Sequence, residues 1–383
     1  MADTKITYLG LELKNPIIVS SSGLTKDLAR LQKCAEAGCG AAVMKSLFEA
    51  EVARNDPTPC YKIIRRDGAT IFYSYEQASP WDPERYADEL RRAGDELDIP
   101  IIPSINCVTL DGWRDYAGRM QDSGAPALEL NVSCPYGSLT SSGENPETAM
   151  LKAVEAACGA VSMPIAVKLP ARLTSPERII AELQSIGVRG VVLFNRFAGL
   201  DIDIYREMPI MHGGWAGHGG PFSIHHPLFW ISRLSPHTTL DIAASGGVTS
   251  ADDVVKYLLA GADAVQVCTA VYLKGYDIIS ELLNGLILWM DSKSYSTIDA
   301  FRGNVSGDAI ADMHSIDRTR KVRFEIDPVA CISCDLCRMR CLHDAITAEN
   351  GMYDIIQQRC VSCGFCAEIC PVAAVNMFPI EGS

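Results

Sequence analysis

Eight of the fifteen cysteines in this 383-residue chain lie near its C-terminal end, in two runs of identical spacing. Each run reads C-x2-C-x2-C-x3-C, and the ligand candidates are Cys331, Cys334, Cys337, Cys341, Cys360, Cys363, Cys366 and Cys370. Three thiolates this close together suit one [4Fe–4S] cubane, whereas a pair of zinc sites would favour two C-x-x-C pairs. The spacing therefore predicts iron–sulfur clusters rather than zinc.

The repeated run resembles the two-cluster bacterial ferredoxins, in which the fourth cysteine of each run ligates the other cluster. The resemblance implies one [4Fe–4S] cluster on Cys331, Cys334, Cys337 and Cys370. It implies a second cluster on Cys360, Cys363, Cys366 and Cys341. One departure is Leu342, which stands where a proline usually follows the fourth cysteine, as Pro371 does in the second run. This change removes no ligand.

A second set of polar and reactive side chains follows the apolar runs of the first 300 residues. The set comprises Ser21, Lys45, Ser46, Asn106, Asn131, Cys134, Lys168, Asn195, Arg196, Ser245, Gly246, Gly247, Cys268 and Thr269. In a (β/α)₈ barrel the carboxyl ends of all strands meet at one face, where active sites lie. We therefore expect these residues to form a single site.

Two parts of this set point to an anionic, electron-rich cofactor. Gly246 and Gly247 leave backbone N–H groups bare, so an anion such as phosphate can approach. Lys45 and Lys168 end apolar strands, where a buried ammonium needs an electron-rich partner. A flavin offers such partners through its N1/C2 carbonyl edge, its ribityl oxygens and its phosphate. The SGGV segment alone is shared by many phosphate-binding barrels.

Eight apolar runs alternate with helix-length segments in this region, which is typical of βαβ units. The predicted strands are residues 16–20, 41–44, 101–105, 127–130, 164–167, 190–194, 240–244 and 264–267. The fold class expected is α/β, a TIM barrel over residues 1–300. A linker is predicted at 301–324 and a small α+β, ferredoxin-like domain at 325–383. A doubly wound sheet is the rival, but no G-x-G-x-x-G follows any predicted strand.

The barrel motifs resemble the dihydroorotate dehydrogenase superfamily. They read NPIIVSSSG, AAVMKS, LELNVSCP, PIAVKL, LFNRFAGL and AASGGVTSADDVVKYLLAGADAVQVCTA. The ferredoxin-like appendage, SINC, and YEQ before SPW point to the dihydropyrimidine dehydrogenase branch. The resemblance implies that the barrel holds FMN and that the C-terminal clusters supply it with electrons.

The resemblance also implies roles for the matching positions. Cys134 is the expected catalytic residue, which exchanges a proton with a substrate carbon; the alternative is an inert buried cysteine. Asn131 and Asn195 are expected to pair with substrate carbonyl and N–H groups, and the alternative is strand capping. The expected flavin contacts are Ser21, Lys45, Ser46, Lys168, Gly220, Ser245, Gly246, Gly247, Cys268 and Thr269. The Gly- and Ser-rich loop 135–147 suits a lid that excludes water.

Three positions depart from the pyrimidine enzymes and concern the substrate. Ser74 stands where those enzymes carry an asparagine that reads the ring, and Arg196 follows Asn195 where a small hydroxyl residue is expected. Tyr136 replaces an asparagine of dihydroorotate oxidisers. A lost amide weakens discrimination of polar ring edges. An arginine suits a carboxylate, or else forms a salt bridge on the barrel rim.

Composition limits the partners. A net charge of −13 argues against nucleic acid. The N-terminal residues show no secretion signal, and no apolar run approaches the ~20 residues of a membrane helix. Fifteen cysteines without a secretion signal indicate a reducing compartment, so the protein is predicted to be cytoplasmic. The resemblance also implies a homodimer.

The sequence predicts FMN-mediated reduction, or formation, of a carbonyl-conjugated C=C bond in a small cyclic substrate. No FAD or nicotinamide fingerprint is present, so the electron donor is external: a flavoprotein subunit that oxidises NAD(P)H, or a ferredoxin. One rival is an electron-transfer subunit that relays electrons to another protein. Another is a non-redox phosphate-handling barrel with a structural cluster domain. The substrate, a pyrimidine or a carboxylate-bearing analogue, and the physiological direction stay open.

Overall fold

The structure, a computed structural model, describes residues 2–49, 61–66, 69–74, 81–132, 145–210, 216–307 and 321–380. The chain divides into two compact units, Met1–Ile310 and Ala311–Ser383. Each unit has its own sheets and its own core. Among the described residues, none of the helices combines the length and the apolarity that crossing a bilayer requires.

The strands of the first unit are short, which suits a barrel. They are β1 Ile6–Tyr8, β2 Leu11–Leu13, β3 Ile17–Val19, β4 Ala41–Val43, β5 Leu47–Phe48, β6 Tyr61–Arg66, β7 Ala69–Ser74, β8 Ile101–Ile102, β9 Ser104–Asn106, β10 Leu128–Asn131, β11 Ile165–Lys168, β12 Gly190–Leu193, β13 Phe197–Gly199, β14 Ile202–Asp203, β15 Met208–Pro209, β16 Ala216–Gly219, β17 Asp241–Ser245 and β18 Ala264–Val267.

Helices follow the barrel strands. They are α1 Leu28–Glu36, α2 Pro83–Glu96, α3 Leu110–Asp122, α4 Pro146–Cys158, α5 Pro176–Ile186, α6 His225–Leu234, α7 Ala251–Leu259, α8 Thr269–Lys274 and α9 Ile278–Ser292. Their starts follow ordinary capping chemistry. The Asp82 side chain accepts from Arg85 N at 2.8 Å, and Ser175 caps the first turn of α5. Pro83 and Pro176 stand at the first helical positions, where no N–H is required.

Parallel strands form a closed ring. The hydrogen-bonded order is β9-β10-β11-β12-β17-β18-β3-β4-β8. β8 and β9 are consecutive in the chain and flank Pro103, so the ring closes through them. The predicted (β/α)₈ barrel is confirmed. The strand predicted at 101–105 is broken in two, because a proline has no N–H to donate to the ladder.

Three antiparallel additions to the barrel are described, the hairpin β1–β2, the pair β14–β15 and a four-stranded sheet, and the sequence analysis predicted none of them. The hairpin β1–β2 is held to β17 by a 2.7 Å hydrogen bond from Leu9 N to Asp241 Oδ2. A second sheet, in the order β13-β16-β7-β6, is built from insertions that follow barrel strands. This cap sheet begins where the strands carrying the predicted site end.

The described residues of the second unit, 321–380, form two antiparallel pairs and two single-turn helices. The elements are β19 Val322–Ile326, α10 Leu336–Met339, β20 Ile346–Glu349, β21 Met352–Ile355, α11 Phe365–Glu368 and β22 Val375–Pro379. β19 pairs with β22 and β20 with β21. The β20–β21 turn has φ of 49° at Asn350 and 78° at Gly351, as an Asn-Gly hairpin turn requires.

The segment predicted as a linker, 301–324, contributes to both units within the described residues. Gly303 N and Val305 N donate to the carbonyls of Leu258 and Leu259 on α7, at 2.9 and 2.8 Å. At its other end, residues 322–324 belong to β19. Because the segment is polar and has no clear periodicity, its sequence did not predict its hydrogen bonds to α7 or its part in β19. The exact domain boundaries stay a prediction.

Candidate active site

Ser46 joins several of the predicted site residues. It follows β4, is 2% exposed, and its Oγ lies 3.1 Å from Ser21 Oγ and 2.9 Å from Ser104 Oγ. The Nδ2 atom of Asn131 donates to the same oxygen at 3.3 Å. The structure therefore brings together residues from the ends of β3, β4 and β10 and from the start of β9.

Asn131 extends this cluster across the barrel mouth. Its carbonyl accepts from Asn106 Nδ2 at 2.6 Å, and its Oδ1 accepts from Asn195 Nδ2 at 3.0 Å. Asn195 Oδ1 in turn accepts from Arg196 N at 2.8 Å. The two asparagines predicted to read the substrate thus contact each other, and each fixes the orientation of the other.

Lys168 is buried beside these amides, as predicted. It is the last residue of β11 and lies opposite Asn131 in the strand register. Its Nζ donates to Ser20 Oγ and to Gln266 Oε1, both at 2.8 Å. Because three N–H groups are available on an ammonium, one remains for a group outside these two bonds.

Lys45 differs from its prediction, which was burial. It is only half-buried, and its Nζ lies 5.9 Å from the centroid of the Phe48 ring. A long side chain can keep its charged end near water while its methylenes pack on apolar surface. Lys45 therefore stands at the edge of the mouth.

The turn after β17 forms a bare backbone cradle. Gly246 and Gly247 have φ of 112° and 72°. A Cβ at Gly247 would lie 2.4 Å from Ile224 N, so only glycine fits. Ser245 ends β17, and its carbonyl accepts from Phe194 N at 3.3 Å.

Strand β16 passes close over the mouth through its glycines. A Cβ at Gly219 would lie 2.8 Å from Thr269 Oγ1, and one at Gly217 would lie 3.0 Å from the Arg196 guanidinium carbon. Gly220 follows, where a Cβ would lie 2.4 Å from a cap-sheet carbonyl. Cys268 precedes Thr269 at the start of α8. The predicted flavin contacts at 220, 268 and 269 thus lie where the cap sheet meets the end of β18.

Two of the three departures from the family pattern lie in the cap sheet region. Ser74 ends β7 and pairs with Gly217 in the register. Arg196 is exposed, and its charge, second to burial, lowers the pKa of His218 on β16. The register and the Gly217 contact bring positions 74 and 196 together.

The predicted catalytic residue and most of the predicted lid lie outside the part of the chain that the structure describes. Cys134 and Tyr136 lie outside the described residues, as does most of loop 135–147. Before these residues β10 ends at Asn131, and after them α4 begins at Pro146.

Sequence reasoning missed Glu129, Gln266 and Ser104, which are 1%, 2% and 0% exposed. Each is a polar residue inside an otherwise apolar strand, and that signal could have found them. It also missed His218, whose buried Nδ1 has no hydrogen-bond partner in the described part of the chain. His218 stacks between Phe197 and Phe222.

The cysteines of the second unit line two cavities. One is lined by four of them, Cys331, Cys334, Cys337 and Cys370. The other is lined by Cys337, Cys341, Cys360, Cys363 and Cys366. Each cavity therefore contains one complete ligand set that the ferredoxin resemblance implied, including the crossed fourth cysteine.

The backbone repeats around the two cavities. Ser333 and Ser362 have φ of 55° and 57°, and the next helix follows a left-handed residue in both runs. Ala345 N donates to Cys341 Sγ at 3.4 Å, and Ala374 N donates to Cys370 Sγ at 3.2 Å. Amide donors to thiolate sulfur are usual around iron–sulfur clusters.

The geometry of the cysteines does not suit single ions. Among the described residues, no group of three or more His, Cys, Asp or Glu side chains is arranged to hold one metal ion. Zinc needs four ligands within about 2.3 Å of one centre. Two cavities with four thiols spread around each fit the larger cubane cluster better.

Comparison with known proteins supports these assignments. Residues 3–290 match the dihydroorotate dehydrogenase family, and residues 353–376 match a 4Fe-4S binding domain. The catalytic subunit of dihydroorotate dehydrogenase B (NAD(+)) from Pyrococcus abyssi is 28% identical over 302 residues, covering 78% of this chain and 98% of that protein. The NAD-dependent dihydropyrimidine dehydrogenase subunit PreA of Escherichia coli K12 is 25% identical over 405 residues, covering 99% of this chain and 96% of that protein.

A solved structure of DHODH from Eimeria tenella, in complex with ferulenol, shares the fold. Its TM-score is 0.63 at 17% identity, and the match covers 79% of this chain and 88% of that one. The family match spans three quarters of the chain and includes the whole polar cluster at the barrel mouth. The chain belongs to the dihydroorotate dehydrogenase family and is an oxidoreductase of CH–CH bonds that combines a flavin-binding barrel with a C-terminal [4Fe–4S] domain.

Proposed function

We propose that the protein reduces, or forms, a carbonyl-conjugated C=C bond in a pyrimidine-like ring, with FMN in the barrel and two [4Fe–4S] clusters in the second unit. The observation that carries this proposal is the amide pair Asn131–Asn195 beside the buried Lys168 ammonium. Amides read the alternating carbonyl and N–H groups of such a ring, and the ammonium supports an electron-rich cofactor edge.

FMN fits the residues that are present. The Gly246–Gly247 turn would hold its phosphate through backbone N–H groups, because neither residue carries a side chain and the turn packs tightly against Ile224. The third N–H of Lys168 would donate to the N1/C2 edge of the ring. Ser21, Ser46, Thr269 and Gly220 would provide further contacts. When bound, FMN supplies the hydride chemistry.

The chain's own residues would then orient the substrate and move its proton. Asn131 and Asn195 bind the ring through their side-chain amides, which already hold one another at 3.0 Å. Cys134 Sγ would give a proton to one carbon of the double bond. Two other barrel thiols, Cys39 and Cys107, are poor candidates, because burial raises the pKa of Cys39 to about 12 and also raises the pKa of Cys107.

Two clusters would let electrons enter one at a time. The two cavities support one cluster on each crossed ligand set. Iron–sulfur clusters carry single electrons, while flavin chemistry on a C=C bond needs a pair. The second unit would therefore collect electrons for the barrel.

The substrate would be chosen at positions 74 and 196. The register brings Ser74 beside Gly217, and a Cβ at Gly217 would lie 3.0 Å from the Arg196 guanidinium carbon. A guanidinium pairs well with a carboxylate. The relatives are named for dihydroorotate, which carries a carboxylate, and for dihydropyrimidine, which does not. Arg196 favours a ring that bears an anionic group.

The donor would be a partner protein. The Pyrococcus abyssi relative is named as a catalytic subunit, and the Escherichia coli relative is named as a subunit of its dehydrogenase. A flavoprotein subunit that oxidises NAD(P)H fits, and a ferredoxin is the second candidate. The fifteen cysteines suit a reducing compartment and so a cytoplasmic protein, and the family suggests a homodimer.

The test is flavin reoxidation after anaerobic purification and reduction with dithionite. Candidate acceptors are uracil, thymine, orotate and unsaturated carboxylates, followed by flavin absorbance. We expect a cyclic conjugated acceptor to reoxidise the parent, and Cys134→Ala to slow this step by about 10²–10⁴-fold. Cys158→Ala, at the end of α4, is the matched control and should react as the parent does.

If no acceptor reoxidises the flavin but a partner protein does, the chain is an electron-transfer subunit. If Cys134→Ala reacts as fast as the parent, another group supplies the proton. Absence of bound flavin under anaerobic conditions would contradict the proposal as a whole and would favour a phosphate-handling barrel.

A further inference from the structure

A buried carboxylate lies inside the barrel, and the proposed reaction does not use it. Glu129 is 1% exposed and stands two residues before Asn131 on β10, so both side chains point to the barrel interior. Its Oε2 accepts a 2.7 Å hydrogen bond from Gln266 Nε2. β18, which carries Gln266, lies across the ring from β10, so this bond crosses the barrel.

Gln266 connects Glu129 to Lys168. The Oε1 atom of Gln266 accepts from Lys168 Nζ at 2.8 Å and from Ser20 Oγ at 3.0 Å. Its amide therefore points its oxygen to the cation and its N–H to the anion. All four side chains of this layer are buried. The layer fixes where the Lys168 ammonium lies.

The two charges also face each other directly. Lys168 Nζ and Glu129 Oε1 are 3.8 Å apart, with 6% and 2% of their side chains exposed. In the described part of the chain, Oε1 has no hydrogen-bond partner. Burial, and then the charge of Glu129, raises the pKa of Tyr8, so that neighbouring phenol stays neutral. A lone charge here would be costly, so each requires the other.

We propose that Glu129 is a positioning residue that sets how strongly the Lys168 charge acts on the flavin. The inference rests on the proposed function, because it requires flavin next to Lys168. Reduction of a neutral flavin by two electrons and one proton leaves one negative charge on the ring. Lys168 stabilises that charge and Glu129 opposes it. Without the Glu129 charge, the reduced flavin becomes the counter-ion of Lys168.

The direct test is the flavin midpoint potential of the purified full chain carrying Glu129→Gln. We expect the affinity for reduced flavin relative to oxidised flavin to rise about ten-fold, which raises the potential by about 30 mV for a two-electron couple. Glu182→Gln is the matched control, because it removes the same charge from an exposed pair with Arg178 on α5. The control should leave the potential unchanged.

A conservative variant separates charge from shape. Glu129→Asp keeps the charge and should keep a potential close to that of the parent, even if it lowers thermal stability. The proposal is overturned if Glu129→Gln leaves the potential unchanged, or if Glu129→Asp shifts it as far as Glu129→Gln does. A parent chain that binds no flavin would instead overturn the proposed function.

Thermal unfolding of the full chain tests the pair even if Glu129→Gln folds poorly. Glu129→Gln and Lys168→Met should each lower the melting temperature of the barrel, because each leaves a buried charge alone. The double variant should recover most of the loss, since it leaves no charge. If the double variant loses as much as the two single variants together, the residues are not coupled and the proposal is wrong.

Discussion

The two units of this chain bury very different amounts of apolar surface. The barrel has one continuous core that runs from Ile6 to Phe301 and includes all the barrel strands. The second unit buries Phe324, Ile346, Ile355 and Val375, and several of its cysteines complete that core. Small domains with so little core need a staple. The barrel can therefore form its site before any cofactor binds, while the second unit depends on its clusters.

The largest effect is expected from loss of a cluster. Cys360→Ala removes one ligand from a cavity lined by five cysteines, and metal-binding energy is folding energy in such domains. Hydrogen exchange should show β19–β22 losing protection almost completely, while β10–β12 keep theirs. Cys158→Ala is the control and should leave both units protected. Retained protection of β19–β22 without iron would show that the second unit folds on its apolar core alone.

The next effect concerns the cradle in the barrel. Gly247→Ala puts a Cβ 2.4 Å from Ile224 N at a φ of 72°, so we expect a loss of about 1–3 kcal/mol in the free energy of unfolding and weaker flavin binding. Gly94→Ala on α2 is the matched control, because no atom lies within 4 Å of its Cβ position.

The Gly94 variant should be neutral or should gain about 0.5–1 kcal/mol, as expected of glycine to alanine in a helix. Chemical denaturation followed by tryptophan fluorescence checks both variants. Equal effects at the two glycines would contradict a preformed cradle.

The stability of the barrel should depend on pH through the buried carboxyl group of Asp263. Burial raises the pKa of Asp263 to about 6, although Ile242 N donates to it and Arg302 contacts it. Between the unfolded pKa near 4 and this value, the folded state binds the extra proton. Stability from this group is therefore present at low pH and is lost as pH rises through 6.

Asp263→Asn should flatten the dependence of the barrel melting temperature between about pH 4 and pH 6. The change expected is about 1–3 kcal/mol across that range. Asp299→Asn is the control, since it removes an exposed carboxylate from the same arginine. The interpretation fails if Asp299→Asn flattens the curve and Asp263→Asn does not.

The smallest effect concerns the internal repeat of the second unit. Asp344 and Ala373 have φ of 47° and 51°, so the chain takes the same path after each fourth cysteine. Leu342 is 88% exposed, and Pro371 stands at the equivalent position. Leu342→Pro should stabilise the second unit by about 0.4–1 kcal/mol, because it restricts the unfolded chain. A destabilised second unit, measured by loss of cluster absorbance on heating, would show that the two paths differ.

The sequence was informative wherever structure follows from local pattern. Parallel strands that are buried on both faces read as continuous apolar runs, so seven of the eight predicted strands correspond to single strands. The remaining predicted strand, 101–105, is interrupted at Pro103. Ligand spacing is itself local, so the sequence alone supports a prediction of the cluster ligands.

Contacts between distant segments could not be predicted. The cap sheet pairs β7 with β16, two insertions that are far apart in the chain. The Glu129–Gln266–Lys168 layer joins three strands through hydrogen bonds that cross the barrel interior. Lys45 is only half-buried, with its Nζ 5.9 Å from the centroid of the Phe48 ring, and the pattern of its strand does not show this. The assignment of individual residues to flavin and substrate contacts stays a prediction.

The most direct measurement follows flavin absorbance and cluster EPR signals together while the reduced protein meets an accepted cyclic substrate. We expect that flavin is reoxidised first, that the clusters are reoxidised through it, and that flavin-depleted protein keeps its clusters reduced in the presence of substrate. Reoxidation of the clusters by substrate at the same rate without flavin would contradict the division of labour between the barrel and the second unit.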